Sequence, residues 1–386
     1  MLFFLYVVLL LVFLLLYIFA KDKSIIITVI CSFIIINFIV NPDSCIQGSL
    51  LGSQLFFYKV FPSLFPFLII TNIIMFYNGI NLYSKLFGKI LCLPLGLPEE
   101  CSFALIVSIL CGYPLGAKYS CELYEKGMID LKTCTRLLNI ASNASPLFTI
   151  GSVGLSMLNN TKLGYILLLG NYISCFFMSL ILKDKSYNIK KGKTPIYIIS
   201  DRKNFGDALK VAIENSINTS LSVGGFILLF CILIKIIKNS IITNTILNNL
   251  SNLFNINKGL IEGLLYGMVE MTNGCNIIST SNTSNEIKVI FTGFLLGFSG
   301  LCIVLQCNSF MSKNNISLWV YIKNKFTQGI VCSLCSYVIY KLLYNRITLQ
   351  VFNSNSNNYN SSLAMYIITL SILILPLFIF KNKKHV

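Results

Sequence analysis

The stretch that decides the fold is SILCGYPLGAKYSCELYEKG, residues 108–127. An apolar run leads into it, and three residues that disfavour a regular helix then follow closely: Gly112, Pro114 and Gly116. Proline lacks an amide hydrogen and its ring clashes with the preceding turn, so a helix opens at such a position. Lys118 places a cation directly beyond the interruption. These features predict a helix that is broken inside a membrane, beside a positive charge.

The composition of the whole chain indicates a membrane protein. The chain has 386 residues, of which 55% are hydrophobic and 11% are charged, and its mean hydropathy is +0.76. A soluble domain usually carries about 25% charged residues. Several runs approach the roughly 20 apolar residues that cross a hydrocarbon core, whereas a barrel would consist of short alternating strands. We therefore predict an all-α polytopic membrane protein of roughly nine to eleven segments, built from two repeat-related halves with broken helices or re-entrant hairpins.

Charge and motif content argue against several functional classes. The net charge is +16, but the sequence has no basic, aromatic-interleaved soluble domain, so we assign the charge to cytoplasmic loops and expect no nucleic-acid partner. Most of the 14 cysteines lie in apolar runs as small hydrophobic residues, and the single histidine is His385. The sequence contains no paired CxxC with zinc spacing, GxSxG, HExxH, P-loop or Rossmann motif. We predict no enzymatic activity, no metal site and no cofactor.

The apolar runs predict the membrane segments. Residues 1–20 lack a basic leader and a small-residue cleavage site, so we interpret them as a retained first span in the bilayer. The predicted apolar segments are 2–20, 24–40, 50–76, 80–97, 101–117, 137–157, 163–182, 205–237, 258–280, 288–310, 327–345 and 363–380.

A basic loop at 183–204 separates the two predicted halves. It carries seven Lys or Arg against two Asp, which is typical of a cytoplasmic loop. The basic tail KNKKHV predicts an inside C-terminus, so an even number of crossings must follow the loop. Five apolar segments follow it, and we predict that 258–280 is a hairpin that enters and leaves on one side. The predicted divisions are an N-terminal hairpin (1–45), a first half (46–182), the loop (183–204), a second half (205–345), and a final loop, span and tail (346–386).

A similarity between the halves supports this division. Residues 295–316 are similar to residues 110–129, since each has an apolar lead, a Gly-aromatic pair, small residues and a polar exit. Interruptions at corresponding places in two halves are typical of repeat-built transporters. The alternative is that membrane helices in general share Gly and aromatic residues.

The interruption at GYPLGAK is the first candidate binding site. In lipid, freed peptide groups are tolerated only where protein, ligand or water satisfies them. Amides freed around Gly112, Tyr113, Pro114 and Gly116, together with Lys118, suit a small anionic substrate. The alternative is an ordinary kink with the lysine reaching the membrane interface.

ASNASPLFTIGSVG, residues 141–154, is the second candidate. Asn143 and Ser145 precede Pro146 near the middle of a predicted span. Polar groups at this depth usually face a cavity or a partner helix. We predict a broken helix that lines a site, with small-residue packing between helices as the alternative.

EGLLYGMVEMTNG, residues 262–274, is the third candidate. Glu270, Thr272 and Asn273 form a polar end to an apolar run. A carboxylate there can bind a coupling ion or a hydrogen-bond donor of the substrate, and burial would favour its protonated form. The alternative is that Glu262 and Glu270 lie at the membrane surface.

Several stretches together resemble a known family. The matching stretches are GYPLGAK with ELYEKGMI, NASPLFTIGSVG, KLGYILLLGNYIS, FGDALKVAIENSINTSLSVGGFILLF, EMTNG and LLGFSGL followed by Gln306. In this order they resemble the sporulation integral membrane proteins of the YlbJ (SpoVV) type, in the nucleoside-recognition Gate domain group. The resemblance covers about residues 50–340. Cys111 stands where the family pattern suggests a serine.

The resemblance implies a transporter of endospore-forming bacteria. Such a protein would move dipicolinic acid, a small aromatic dicarboxylate, from the mother cell across the outer forespore membrane. Lys118 and the opened backbone would then meet the carboxylates, and Asn143 and Asn273 would donate amides. Two alternatives stay open: a transporter of a nucleoside or another polar metabolite, and a non-transporting sporulation membrane scaffold. The sequence leaves the oligomeric state open.

Overall fold

The computed structural model describes residues 23–77, 79–183, 204–238 and 241–344, and every regular element in these ranges is helical. The predicted first span, most of the loop at 183–204, and the last span with its tail lie outside the described residues. Four described helices are long and apolar enough to cross a membrane, and the number rises to six if each of two bent helix pairs is one span. The all-α membrane architecture is therefore confirmed.

The N-terminal helices follow a bent path. They are α1 (Lys23–Val40), α2 (Pro42–Leu55), α3 (Phe61–Phe76) and α4 (Gly79–Leu95). α1 and α2 meet at 102°, and Pro42 begins α2 in the first turn, where a helix needs no amide donor. A π-helical turn, Phe56–Val60, joins α2 directly to α3.

The quoted stretch folds as a helical hairpin. Its helices are α5 (Ser102–Cys111) and α6 (Leu115–Glu125). The two helices pack against each other as an antiparallel pair. Phe103 on α5 and Tyr119 on α6 lie on opposite sides of the turn, and their ring centres are 5.3 Å apart. The chain reverses at Gly112, whose φ of +79° favours glycine. The sequence predicted an opened crossing helix at 101–117, and the structure instead has a segment that turns back on itself. We call it hairpin 1.

A broken helix follows hairpin 1. Its parts are α7 (Leu131–Ile140) and a π-helical segment (Leu147–Met157), and α8 (Thr161–Ile181) comes next. Asp130 begins α7 by accepting the Thr133 amide at 2.9 Å. Residues 141–145 are not helical, and Pro146 opens the second part. The predicted break is therefore present, and we call this pair of helices broken span 1.

The second half repeats these parts. Its helices are α9 (Phe205–Lys238), α10 (Ile241–Phe254), α11 (Lys258–Val269), α12 (Met271–Thr280), α13 (Asn285–Phe298), α14 (Gly300–Met311) and α15 (Leu318–Leu343). α11 and α12 pack closely, since a Cβ added at Gly267 would lie 3.1 Å from the Cα of Gly274. The hairpin predicted at 258–280 is thus present, and we call it hairpin 2.

The segment predicted as one span at 288–310 is interrupted. Ser299 and Gly300 have φ of +71° and +77°, a left-handed backbone that ends α13 and starts α14. The sequence similarity of 295–316 to the interrupted stretch 110–129 indicated a break in this region, but it did not locate the break at Ser299 and Gly300, because a Ser-Gly pair inside an apolar run is a weak signal. We call α13 and α14 broken span 2.

The order of elements confirms two related halves. Hairpin 1, broken span 1 and α8 correspond in order to hairpin 2, broken span 2 and α15. The sequence similarity noted above pairs residues differently, because it aligns the tip of hairpin 1 (110–129) with the break of broken span 2 (295–316). Hairpin tip and broken span are different parts of the repeat, so this short similarity does not mark equivalent positions.

α15 shows why the bundle suits lipid. Its apolar residues Leu334, Val338 and Leu342 are exposed along one face. The opposite face is buried in the protein and carries the polar residues Lys325, Gln328 and Ser336. A helix with this distribution places hydrocarbon outside and polar groups inside, as a membrane helix next to a polar interior does.

Hairpin 1 depends on a glycine that faces broken span 1. A Cβ added at Gly116 would overlap the carbonyl oxygen of Ala141. We expect Gly116→Ala to lower the free energy of unfolding by about 1–3 kcal/mol, the usual cost of overpacking, and to lower the melting temperature of the purified protein. Gly225→Ala is the matched control, because nothing lies within 4 Å of its added Cβ. Equal melting temperatures for the two variants would contradict this packing.

Candidate functional site

The tip of hairpin 1 lies against the break in broken span 1. The amide of Tyr113 donates to the carbonyl oxygen of Asn143 at 2.7 Å. A Cβ added at Gly112 would lie 2.6 Å from the backbone nitrogen of Ser145, so only glycine allows this approach. The hairpin of the same half thus satisfies one carbonyl group of the unwound segment.

The second half has the same arrangement. A Cβ added at Gly300, in the break of broken span 2, would lie 3.1 Å from the backbone nitrogen of Met271 at the tip of hairpin 2. The two halves then meet through side chains, since the Tyr113 hydroxyl donates to Sδ of Met271 at 2.8 Å. Two hairpin tips and two helix breaks therefore come together at one place.

A cavity of about 90 Å³ lies at this meeting point. Its polar lining comes from Tyr113, Ser145, Glu270, Thr272 and Gln306. Its apolar lining comes from Leu64, Phe148, Val223, Ile227, Met271 and Ile303, among others. We call this space the central cavity. It combines an apolar wall with a few convergent polar groups, as small-molecule sites do.

Four helix starts converge on the central cavity. Its lining includes Pro114, which precedes α6, and Phe148, in the first turn of the π-helical segment. It also includes Thr272 and Cys302, in the first turns of α12 and α14. The first amides of a helix lack partners within it, and that end carries a partial positive charge. The positive ends of four helices therefore border the cavity.

Glu270 already satisfies one of these helix starts. Its two carboxylate oxygens accept the amides of Thr272 and Asn273 at 3.0 and 2.9 Å, and the side chain is buried. Such capping stabilises the start of α12. Because the residue also lines the cavity, its carboxylate is placed to meet a hydrogen-bond donor on a ligand.

The residues predicted from the sequence divide into those that line the central cavity and those that do not. Tyr113, Pro114, Ser145, Glu270 and Thr272 line it. Gly112 and Gly116 shape hairpin 1 through the close contacts described above. Their importance in the structure is steric, because each lies against the backbone of broken span 1.

The two predicted asparagines lie just outside the central cavity. The Asn143 side chain accepts from Sγ of Cys175 on α8. Asn273 Nδ2 points toward Sγ of Cys231 at 3.6 Å, and the residue lines a separate cavity of about 320 Å³ with Gln54 and Tyr58. Both asparagines are adjacent to the site without contributing to its lining.

Lys118 lies in a third cavity, of about 360 Å³. Its Nζ donates to Oγ1 of Thr219 at 3.2 Å and lies 4.0 Å from a carboxylate oxygen of Glu122. Asn72 and Asn215 also line this space, so it lies between α3, α6 and α9. We call it the lysine cavity.

The central cavity and the lysine cavity follow the same pair of helices. α9 contributes Val223 to the first and Thr219, one turn away, to the second. α3 contributes Leu64 to the first and Asn72, two turns away, to the second. The lysine is therefore displaced along the bundle from the hairpin tips.

Two important polar residues were not among the site residues predicted from the sequence. Gln306 is buried in the central cavity, and Lys325 is fully buried beside the break in broken span 1. The available signals were weak. Gln306 is an amide side chain within the predicted segment 288–310, and Lys325 lies in the polar stretch just before the predicted segment 327–345. Neither indicates which cavity or helix break the side chain faces.

Comparisons with known proteins find a similar protein that is named for sporulation. No protein-family model matches the chain. The chain is 25% identical over 345 residues to the sporulation integral membrane protein YlbJ of Bacillus subtilis (strain 168), a match that covers 84% of this chain and 85% of that protein.

Two solved structures are similar at low identity. The inward-facing, substrate-bound state of CNTnw has a TM-score of 0.46 at 15% identity, over 78% of this chain and 82% of that one. An outward-facing state of CNTnw has a TM-score of 0.43 at 15% identity, over 73% and 74%. The sequence match over most of both chains shows that this helical membrane protein is similar to a sporulation integral membrane protein of the YlbJ type.

Proposed function

We propose that this protein transports dipicolinate, from the mother cell across the outer forespore membrane. The observation that carries the proposal is the central cavity, where two hairpin tips and two broken spans meet. Interrupted helices in two repeated halves are typical of transporters whose substrate binds near the middle of the membrane.

The chemistry of the central cavity supports a small anion with an aromatic ring. Helix starts from both halves border it, and the positive end of a helix favours carboxylates. Ser145 and Gln306 add hydrogen-bonding side chains, while Tyr113 and Phe148 supply aromatic surface. Dipicolinate has two carboxylates on a flat ring, so it uses both features.

The lysine cavity supports a role for Lys118 on the route to the central cavity. Both cavities lie along α3 and α9, and Lys118 supplies a buried ammonium to the second one. A cation there attracts an anion before it reaches the amides of the hairpin tips. This role differs from direct contact in the binding site, because Lys118 does not line the central cavity.

The setting of the proposal comes from the relative and the resemblance. The Bacillus subtilis protein is named a sporulation integral membrane protein. The matching stretches listed from the sequence imply the same family and its association with dipicolinate. A sporulating cell has the membrane and the substrate that the proposed activity requires.

Glu270 favours a second candidate, a nucleoside or similar polar metabolite. Its buried carboxylate in the lining is an acceptor for hydroxyl groups, whereas it repels a dicarboxylate. Glu270 therefore attracts a nucleoside and repels a dicarboxylate. A substitution at Glu270 is the best way to distinguish the two substrate classes.

We expect Glu270→Gln to keep or strengthen dipicolinate binding to the purified protein, because the change removes a negative charge from the cavity. If the substrate is a nucleoside, uridine binding should fall about tenfold or more, since a hydrogen bond to a charged group contributes about 1.5–3 kcal/mol. Calorimetric titration with both compounds measures this.

Glu262→Gln is the control for this pair of titrations. Glu262 lies on the same hairpin, but it does not line the central cavity. Its carboxylate forms an ion pair with Lys238, with 2.8 Å between the nitrogen and the oxygen. This substitution should leave both affinities unchanged. Loss of dipicolinate binding in Glu270→Gln, in a protein with the melting temperature of the control, would count against the dicarboxylate.

We expect Lys118→Ala to abolish dipicolinate movement into proteoliposomes. The variant should still insert into the membrane and purify in detergent like the unchanged protein. Lys210→Ala, an exposed position on α9, should transport like the unchanged protein. Equal transport by the two variants would remove Lys118 from the route.

If the unchanged protein moves neither dipicolinate nor uridine, and substitutions in the loop at 183–204 alone impair sporulation, the scaffold alternative is correct.

A further inference from the structure

Lys325 is a buried cation outside the residues used so far. It lies on the polar face of α15 and has no exposed surface. Its Nζ donates to the carbonyl oxygen of Ser142 at 3.0 Å and to Oε1 of Gln328 at 2.8 Å. Within the described ranges, no carboxylate forms an ion pair with it. A buried charge without a counter-ion is costly in a membrane, so its position needs a reason.

The reason lies in the backbone that Lys325 contacts. Ser142 lies two residues beyond Ile140, the last residue of α7, within the unwound part of broken span 1. Carbonyls of unwound backbone lack helical partners, and the nearby end of α7 carries a partial negative charge. The ammonium therefore satisfies an unwound carbonyl close to that negative helix end.

A hydrogen-bond network holds the ammonium in place. Nε2 of Gln328 donates to Sγ of Cys175 at 3.1 Å, and that thiol donates to the Asn143 side chain. The hydroxyls of Tyr321 and Ser142 lie 2.9 Å apart. Side chains from α8 and α15 thus fix both the lysine and the unwound backbone.

The ammonium is separated from the central cavity by one side chain. Its Nζ lies 6.0 Å from the centre of the Tyr113 ring, which lines that cavity. The backbone of Tyr113 is bonded to Asn143, the residue after Ser142. A change in the charge beside the break would therefore reach the wall of the cavity through this tyrosine.

We propose that the ammonium of Lys325 is a resident cation, which occupies the place at the first helix break where a transporter of this architecture would otherwise bind an inorganic cation. Unwound carbonyls and half-helix ends of this kind coordinate monovalent cations in broken-helix transporters. Here a covalently attached ammonium makes that contact. The folded state consequently requires no bound Na⁺, and the site of broken span 1 is specific for the lysine side chain.

The test measures the melting temperature of the detergent-purified full chain in NaCl, KCl and choline chloride at equal ionic strength. A cation that binds only the folded state raises the melting temperature. The unchanged protein should melt at the same temperature in all three salts. Lys325→Ala should melt several degrees lower in choline chloride and should recover part of this loss when Na⁺ or methylammonium is added.

Two variants control for loss of packing. Lys325→Met keeps a long side chain without the charge, so it should melt lower but should not recover with methylammonium, because the space stays filled. Lys323→Ala removes an exposed lysine from the same helix and should behave like the unchanged protein.

Three results would overturn the proposal. They are a higher melting temperature of the unchanged protein in NaCl than in choline chloride, an unchanged melting temperature of Lys325→Ala, and equal recovery of the Met and Ala variants with methylammonium. If Lys325→Ala does not accumulate, the salt comparison on the unchanged protein decides alone. This inference takes from the proposed transport function only the analogy with coupling ions. Because the melting experiment uses no substrate, its result does not depend on whether the protein transports dipicolinate.

Discussion

Unwound backbone inside a membrane must find its hydrogen-bond partners within the protein, and the rest of this structure depends on that constraint. Each helix break is covered by the hairpin tip of its own half. The amide of Tyr113 bonds to Asn143 at the first break, and the tip of hairpin 2 lies against Gly300 at the second. Glycines at the contacts let one backbone approach another, so the two halves close around a single small space.

The same constraint separates charge around that space. Helix starts face the central cavity, where Glu270 satisfies the amides at the start of α12. At the first break, Lys325 donates to the unwound backbone just beyond α7. Two helix ends therefore lie near a side chain of the opposite sign: the start of α12 near Glu270, and the end of α7 near Lys325.

This arrangement leads to a chemical expectation. A helical membrane protein with a polar cavity between repeated hairpins suits a carrier for a small metabolite. The amides of the helix starts favour carboxylates, and the carboxylate of Glu270 favours hydroxyl donors. The cavity thus holds two opposed preferences, and their balance distinguishes a dicarboxylate from a nucleoside. Lys118 adds positive charge along α3 and α9, where an approaching anion would pass.

The sequence by itself determined that the chain is an all-α membrane protein with interrupted helices, because hydropathy, Gly-Pro interruptions and segment length are local properties. It also located the hairpin at 258–280 and the break before Pro146, where polar residues interrupt an apolar run. Only the tertiary structure decided that GYPLGAK is a hairpin tip, that Ser299 and Gly300 interrupt a span, and which polar groups meet. Lys118 and Lys325 show the difference, because both are lysines near interrupted membrane segments. Lys118 lies in a cavity beside α9, whereas Lys325 donates a hydrogen bond to the unwound backbone beyond α7. Their partners are distant in the sequence, at Thr219 and Ser142, so packing of helices from both halves is what assigns each charge its place.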